Sequence, residues 1–319
     1  MLPYLQLLRL PTVFTAMADI LLGFVLTHRF IYGPLIGSVN DGLTQEFGWN
    51  QPGAFFGLLI ASSCLYLSGM VFNDVFDVRQ DTAERPGRPI PSGRVSLRSA
   101  TILGTLLMVV GVGAASAVSF VSFGVSLLLV AAILGYDSFL KRTPLGPLAM
   151  GMCRCLNVLL GGSLQSHFSD LLTPPLFPAA IGLGLYIVGV TVFARTEART
   201  SSRWQLALAQ LIMNLGFAVL VWLMVRWPDR SPVDVSLAML CIVAFTINRR
   251  ALEALRNPSP ATVQGSIKVM LLSLVILDST LIYWHLNTPA GLGLGASHAI
   301  AASLLVVPAM LLSRFIPMT

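Results

Sequence analysis

Long apolar runs separated by short polar stretches dominate the chain. They cover 9–29, 54–74, 97–118, 120–137, 145–164, 176–195, 205–226, 233–249, 266–286 and 292–313. A helix needs roughly 20 mostly apolar residues to cross a bilayer. The pattern therefore predicts an all-α fold, a polytopic membrane bundle of nine or ten transmembrane helices forming one domain over residues 1–319. Two counts stand because the eighth run is short and only a small-residue turn separates the third from the fourth. Ala16-x-Ala18 has the look of a signal-peptide cleavage site. Apolar sequence nonetheless continues to Thr27 and Arg9 is the sole upstream arginine, so the run reads as the first spanning helix. No low-complexity linker interrupts the pattern, and polar motifs close the second, fourth, sixth and eighth runs.

Composition agrees. The chain is 55% hydrophobic and 11% charged, with mean hydropathy +0.79, where a soluble domain carries about 25% charged residues. A net charge of +6 raises nucleic acid as a partner, but the basic residues are scattered through short loops without interleaved aromatics, and no nucleic-acid partner is expected. Their distribution gives an orientation instead. Loops after even-numbered runs hold Arg79, Arg85, Arg88, Arg94, Arg98, Lys141, Arg142, Arg195, Arg199, Arg203, Arg249, Arg250, Arg256 and Lys268; those after odd-numbered runs hold Arg29, Arg226 and Arg230. Positive charge stays on the cytoplasmic side, which places the N-terminus and the motif-bearing loops in the cytoplasm of a plasma (inner) membrane protein. Asn248, Arg249 and Arg250 mark the cytoplasmic end of the eighth run. The loop DGLTQEFGWNQPG is expected as an outer connection. Cys64, Cys153, Cys155 and Cys241 read as small core residues, and His28, His167, His285 and His298 as interfacial; neither set has metal-ligand spacing.

The chemistry concentrates where the second run ends, in NDVFDVRQD (Asn73–Asp81). If the helix continues through it, Asp74, Asp77 and Asp81 are spaced three and then four apart and share one face. Three carboxylates so placed repel one another unless a cation joins them. Hard oxygen ligands suit Mg²⁺, which binds one or two protein carboxylates together with substrate phosphates. The stiff loop TAERPGRPIPSGR follows with Arg85, Arg88 and Arg94, whose guanidinium forks match phosphate oxygens. Acids for a metal and arginines for a diphosphate thus lie within about twenty residues, against the alternative of a solvated helix end.

NDxxDxxxD followed by RPxRPxPSG resembles the first aspartate-rich motif of the UbiA superfamily of intramembrane prenyltransferases. YDSFLKR is similar to that family's Tyr-x-x-x-x-Lys element, RCLNVLLGG resembles its fifth span, and the order of spans and motifs agrees from about residue 5 to 290. The start LPYLQLLRLPTVFTAMAD and an RTEA-type second motif resemble the EboC-type branch, associated with bacterial secondary-metabolite gene clusters. The resemblance implies a helical bundle around a lipid-open cavity. In it Asn73, Asp74, Asp77 and Asp81 bind Mg²⁺ and the diphosphate of a prenyl donor, with Asp74, Asp77 and Asp81 as metal ligands. Arg85, Arg88 and Lys141 hold the phosphates, with Tyr136 nearby. The implied reaction passes a prenyl group to a small aromatic or cyclic acceptor, the metal and cations stabilising charge on the departing diphosphate.

One departure stands out. Where the family has a second motif, DxxxD, this chain reads FARTEARTSSR: Glu197 stands for the first acid and Ser201 for the second. Arg195, Arg199 and Arg203 either take over part of a second metal's role, or the site binds a phosphorylated lipid without ionising it. A non-catalytic lipid-diphosphate binder is therefore the alternative function. A CDP-alcohol phosphotransferase is set aside because its DG-x-x-AR signature is missing, and a soluble isoprenoid synthase because of the apolar runs. Within the spans, Asp19, Arg154 and Asn157 are polar groups in an expensive place. Arg154 and Asn157 are three apart and face the same interior, so they are expected to line the cavity. Asp19 is either an acceptor-side base or a structural partner of Arg154 and Asn157. Asp278, with no motif around it, is expected to be structural.

Overall fold

The structure, a computed structural model, describes residues 2–27, 51–197, 199–226, 235–287 and 294–312. The first ten residues of DGLTQEFGWNQPG, together with His28, Arg29 and Arg230, lie outside the described residues. The helices are α1 (Leu2–Leu8), α2 (Val13–Thr27), α3 (Pro52–Phe76), α4 (Val78–Glu84), α5 (Leu97–Val118), α6 (Phe120–Ser138), α7 (Gly146–Gly161), α8 (Leu176–Ala194), α9 (Arg203–Arg226), α10 (Val235–Arg256), α11 (Pro260–Leu286), α12 (Leu294–Ser303) and α13 (Val306–Leu312). Local chemistry sets several boundaries. Ser96 caps α5 through the Ser99 N–H, Ser119 caps α6 through Ser122, and Ser259 caps α11 with Pro260 at the first helical position. Ser119, in extended conformation, ends α5 and starts α6, so the third and fourth runs are two helices.

Among the described residues eight helices are long and apolar enough to cross a membrane, and two shorter apolar stretches, Gly146–Gly161 and Ala296–Leu312, accompany them. The shorter pair answers to the fifth and tenth runs, and the tenth is broken between α12 and α13. Burial sorts centre from periphery. The spanning windows of Pro3–Thr27, α8 and α11 are 78%, 67% and 61% buried, those of α5 and α10 only 17% and 22%. Helix α2 packs on α3, α7 and α11, and α8 on α7, α9 and α11. In lipid no hydrophobic force drives helices together, so small residues that let backbones meet matter more. At Gly161 a Cβ would stand 2.6 Å from the Ile20 carbonyl oxygen, and at Gly151 2.7 Å from that of Gly184. Glycine is what allows α7 to lie against α2 on one side and α8 on the other.

The structure corrects four expectations. Helix α3 stops at Phe76, and Asp77 sits at φ −91°, ψ 2° before α4 begins, so the helix does not run through NDVFDVRQD. The first run is interrupted at Arg9–Thr12, where Arg9 adopts a left-handed φ of 46° ahead of a 3₁₀ turn containing Pro11. Helix α10 continues through Asn248, Arg249 and Arg250 to Arg256; the side chain of Asn248 is drawn inward by Asn214 and Gln210 on α9. Cys241 is exposed on the outer face rather than in the core.

Candidate active site

The break at Asp77 separates the three aspartates. Asp74 Oδ1 accepts from Arg9 at 2.7 Å and from Arg88 at 3.2 Å, and Arg88 reaches on to Asp81 Oδ2 at 2.6 Å. Asp77 turns the other way, with Oδ2 2.8 Å from Lys141 Nζ and Arg142 3.7 Å from Oδ1. The expected trio of metal ligands is therefore two ion-paired clusters. Among the described residues no group of three or more acidic, histidine or cysteine side chains is arranged to hold a metal. The cause is local: a straight helix would align positions 74, 77 and 81, and the non-helical backbone at Asp77 rotates its neighbours apart.

These clusters ring the mouth of a cavity of about 440 Å³, within the range of small-molecule sites. Asn73, Asp77, Asp81, Arg9, Arg85, Arg88, Tyr136, Asp137 and Glu197 line its polar end. Lys141 stands beside Asp77 without lining the cavity, and Asp74 lines an adjoining cavity of about 360 Å³ with Arg9, Arg85, Arg88, Arg94 and Glu197. Deeper walls are apolar, from Met70, Leu129, Ile133, Ile187, Val190, Ile267 and Leu271, and the far end carries Thr15, Arg154 and Asn157. Asn157 accepts from Ser62 at 2.6 Å, eleven residues before Asn73 on α3; at 1.5 Å per residue the two ends lie roughly 16 Å apart.

Two features leave charged atoms without hydrogen bonds at the mouth. Asp77 Oδ1 is a buried oxygen with no hydrogen-bond partner. The Arg85 side chain makes no ion pair or hydrogen bond among the described residues, although it borders both cavities. Asn73 Nδ2 donates to Asp137 Oδ1 at 2.8 Å, which fixes the amide beside Asp77. The left-handed conformation at Arg9 costs about 1–2 kcal/mol for a residue with a Cβ, and its ion pair to Asp74 offsets that.

The second-motif region folds differently from its sequence suggestion. Glu197 lines both cavities; burial raises its carboxyl pKa, and the Arg85 and Arg9 guanidinium groups pull it down. Ser201 is buried and takes part in the loop instead. Its hydroxyl accepts from Thr196 Oγ1 at 2.8 Å and its N–H donates to the Pro258 carbonyl at 3.1 Å. Arg195 donates to the Thr143 carbonyl at 2.7 Å, and Arg195, Arg199 and Arg203 do not line the cavities. The guanidinium groups near Glu197 come from Arg9 and Arg85, far away in sequence.

At the far end, Arg154 Nε lies 2.9 Å from Asp19 Oδ2, and Asn157 Nδ2 donates to the same oxygen at 2.8 Å. Arg154 and Asn157 do line the cavity, while Asp19, fully buried, stands behind them as their partner. Sequence reasoning passed over Arg9, treated only as an orientation charge, and Asp137. An acid inside the fourth run, next to Tyr136, was a readable signal for the latter. Arg9 carried none, because its role depends on a backbone turn.

A family profile described as the UbiA prenyltransferase family matches residues 42–252. Among named relatives, digeranylgeranylglyceryl phosphate synthase of Metallosphaera sedula is 34% identical over 152 residues, 47% of this chain and 53% of that protein. The protein of the same name from Saccharolobus solfataricus is 29% identical over 168 residues, 52% of each. The chain thus spans about half the length of these relatives. A UbiA homologue from Aeropyrum pernix superposes with TM-score 0.62 at 18% identity, covering 85% of this chain and 96% of that one. A UbiA homologue from Archaeoglobus fulgidus, solved bound to DMAPP and Mg²⁺, superposes with TM-score 0.57 at 13% identity, covering 94% and 98%. Eight membrane-length helices on this fold make a multi-pass integral membrane protein, and with a profile match over most of its length the chain belongs to the UbiA prenyltransferase family.

Proposed function

We propose that the protein transfers a prenyl group from a prenyl diphosphate to a small acceptor, with Mg²⁺ as cofactor, and that its polar mouth faces the cytoplasm. The observation that carries this is the junction of an apolar cavity with a mouth where a carboxylate oxygen without a hydrogen bond, Asp77 Oδ1, and an unpaired guanidinium, Arg85, stand together. The mouth carries Asp74, Asp77, Asp81, Asp137 and Glu197 against Arg9, Arg85, Arg88, Lys141 and Arg142. With acids and bases so evenly matched, an added diphosphate needs cations to come with it. Hard oxygens at Asn73 and Asp77 would hold Mg²⁺ together with diphosphate oxygens and so neutralise charge on the departing group, while Asp81 stays with Arg88. Asp74 fastens Arg9 and Arg88 rather than the metal.

The chain's own groups then divide the work. Arg85 and Arg88 grip diphosphate oxygens, Lys141 sets the Asp77 carboxylate, and Tyr136 borders the reacting end. The apolar walls hold the prenyl tail and keep water from the developing allylic cation. The acceptor meets it from the polar far end at Arg154 and Asn157. An aromatic or cyclic acceptor is the sequence-based reading, while relatives named for a glyceryl phosphate product favour a polar lipid acceptor with a hydroxyl nucleophile. Ser201, tied into its loop, supports the second reading, a binder that holds the diphosphate without ionising it. The deciding experiment is diphosphate release from geranyl, farnesyl and geranylgeranyl diphosphates by the purified protein in lipid. It is run with and without Mg²⁺, with a membrane extract as acceptor source and Asp77→Asn as control. Release dependent on Mg²⁺ and Asp77 supports transfer; tight binding without release supports the binder; neither refutes both.

A further inference from the structure

Beyond the cavity's far end, two acids from opposite ends of the chain meet one arginine. Asp19 on α2 and Asp278 on α11 are fully buried, and Arg154 on α7 is nearly so. Arg154 Nε is 2.9 Å from Asp19 Oδ2, Nη2 is 3.9 Å from Asp278 Oδ2, and both Nη groups also donate to Thr15. Both carboxyl groups thus face the same guanidinium, Asp19 at Nε and Asp278 at Nη2. Asn157 donates to Asp19 Oδ2. That leaves Asp19 Oδ1 and both oxygens of Asp278 with no hydrogen bond among the described residues. The neighbouring phenol of Tyr186 on α8 supplies none, since it donates to the Met270 carbonyl at 2.9 Å.

The charge count does not balance. One guanidinium faces two carboxyls in the interior of a bundle, where an uncompensated charge is strongly unfavourable. Three buried acceptor oxygens on these two groups also have no hydrogen atom to accept. One proton removes both faults. It belongs on Asp278, because Asp19 has the short ion pair and the Asn157 amide to stabilise its charge, and Asp278 has only the longer contact. We propose that Asp278 carries a proton and donates it as a hydrogen bond to Asp19 Oδ1, so that Asp278, Asp19 and Arg154 form a neutral row that positions Arg154 at the cavity's acceptor end. Asp278 is thus a positioning residue acting through Asp19 and Arg154. Its effect on turnover rests on the prenyl-transfer reading, whereas the proton does not.

The test is infrared spectroscopy of the full chain in lipid at neutral pH, with Asp278→Asn, Asp278→Leu and Glu197→Gln. The wild type should show a carboxylic-acid C=O band that is lost in Asp278→Asn and kept in Glu197→Gln. A band that is missing in the wild type, or that survives in Asp278→Asn, overturns the proposal, and both results are read without substrate. In turnover, Asp278→Asn should stay within about twofold of wild type because its amide N–H replaces the acid O–H, whereas Asp278→Leu should lose roughly tenfold or more in kcat with donor KM unchanged. Equal losses in Asn and Leu would overturn it as well. If the Leu variant fails to fold, the infrared comparison decides.

Discussion

The split of the aspartates makes a pair of substitutions informative. Sequence spacing alone treats Asp74 and Asp77 as equivalent, and the structure assigns them different work. Asp77→Asn removes a charge whose free oxygen lines the cavity. Losing one ligand to a cation costs about 1.5–3 kcal/mol, a fall of roughly 10- to 150-fold in Mg²⁺-dependent donor affinity. The substitution also takes from Lys141 its acidic partner at 2.8 Å, in a pair 11% and 17% exposed, so some stability is lost as well. Asp74→Asn instead strips Arg9 of its acidic partner and leaves Arg88 with Asp81 only. Breaking a buried pair costs about 3–5 kcal/mol. The arginines are 17% and 18% exposed and Arg88 retains a partner, which discounts this to about 2–3 kcal/mol. The left-handed turn at Arg9 then loses its anchor. The assay is binding of radiolabelled geranyl diphosphate in lipid nanodiscs with and without Mg²⁺, beside thermal unfolding of the same samples. Both variants should lower Tm, and Asp77→Asn should lose the Mg²⁺-dependent binding that Asp74→Asn largely keeps. Equal loss of Mg²⁺-dependent binding in both variants would refute the division and restore all three aspartates as metal ligands.

Further outcomes follow from the same geometry. Ser201→Asp restores the second acid of the DxxxD pattern, yet it should not raise turnover and should lower Tm, since the side chain is buried in a loop contact; a gain in diphosphate release would show that the loop opens toward the cavity. Glu197→Ala should lower turnover more than donor affinity, read as kcat against KM, and equal effects would remove Glu197 from the chemistry. Because burial raises the Glu197 pKa, the folded protein holds that proton more tightly than the unfolded chain, so the stability penalty is fully present above the folded pKa and fades as pH falls toward the ordinary carboxylate range. Glu197→Gln should accordingly raise Tm at neutral pH and not at acidic pH. Gly161→Ala, whose Cβ would meet the Ile20 carbonyl, should destabilise by about 1–3 kcal/mol, measured by thermal unfolding, and an unchanged Tm would show that α2 and α7 separate freely.

Much of the architecture was legible in residue order. Apolar runs of the right length predicted every membrane-length helix, because in a bilayer a backbone must satisfy its hydrogen bonds within each segment, and length plus hydropathy nearly decide the outcome. The candidate site was legible for a related reason: acids and arginines beside apolar runs are costly unless used, so residue type alone singled out Asp77, Arg85, Arg88, Arg154 and Asn157, which line one cavity. What only the tertiary structure decided was partnership. The turn at Asp77 sent Asp74 to Arg9 and Asp77 to Lys141, the Thr196–Ser201 contact kept Ser201 out of the cavity that Glu197 lines, and packing of α2, α7 and α11 brought Asp19, Arg154 and Asp278 together from 259 positions apart in the chain. Spacing along a helix is a one-dimensional rule that fails at the first non-helical residue. Which charge meets which is settled by how helices pack, and in a low-dielectric interior that pairing determines what each charge can do.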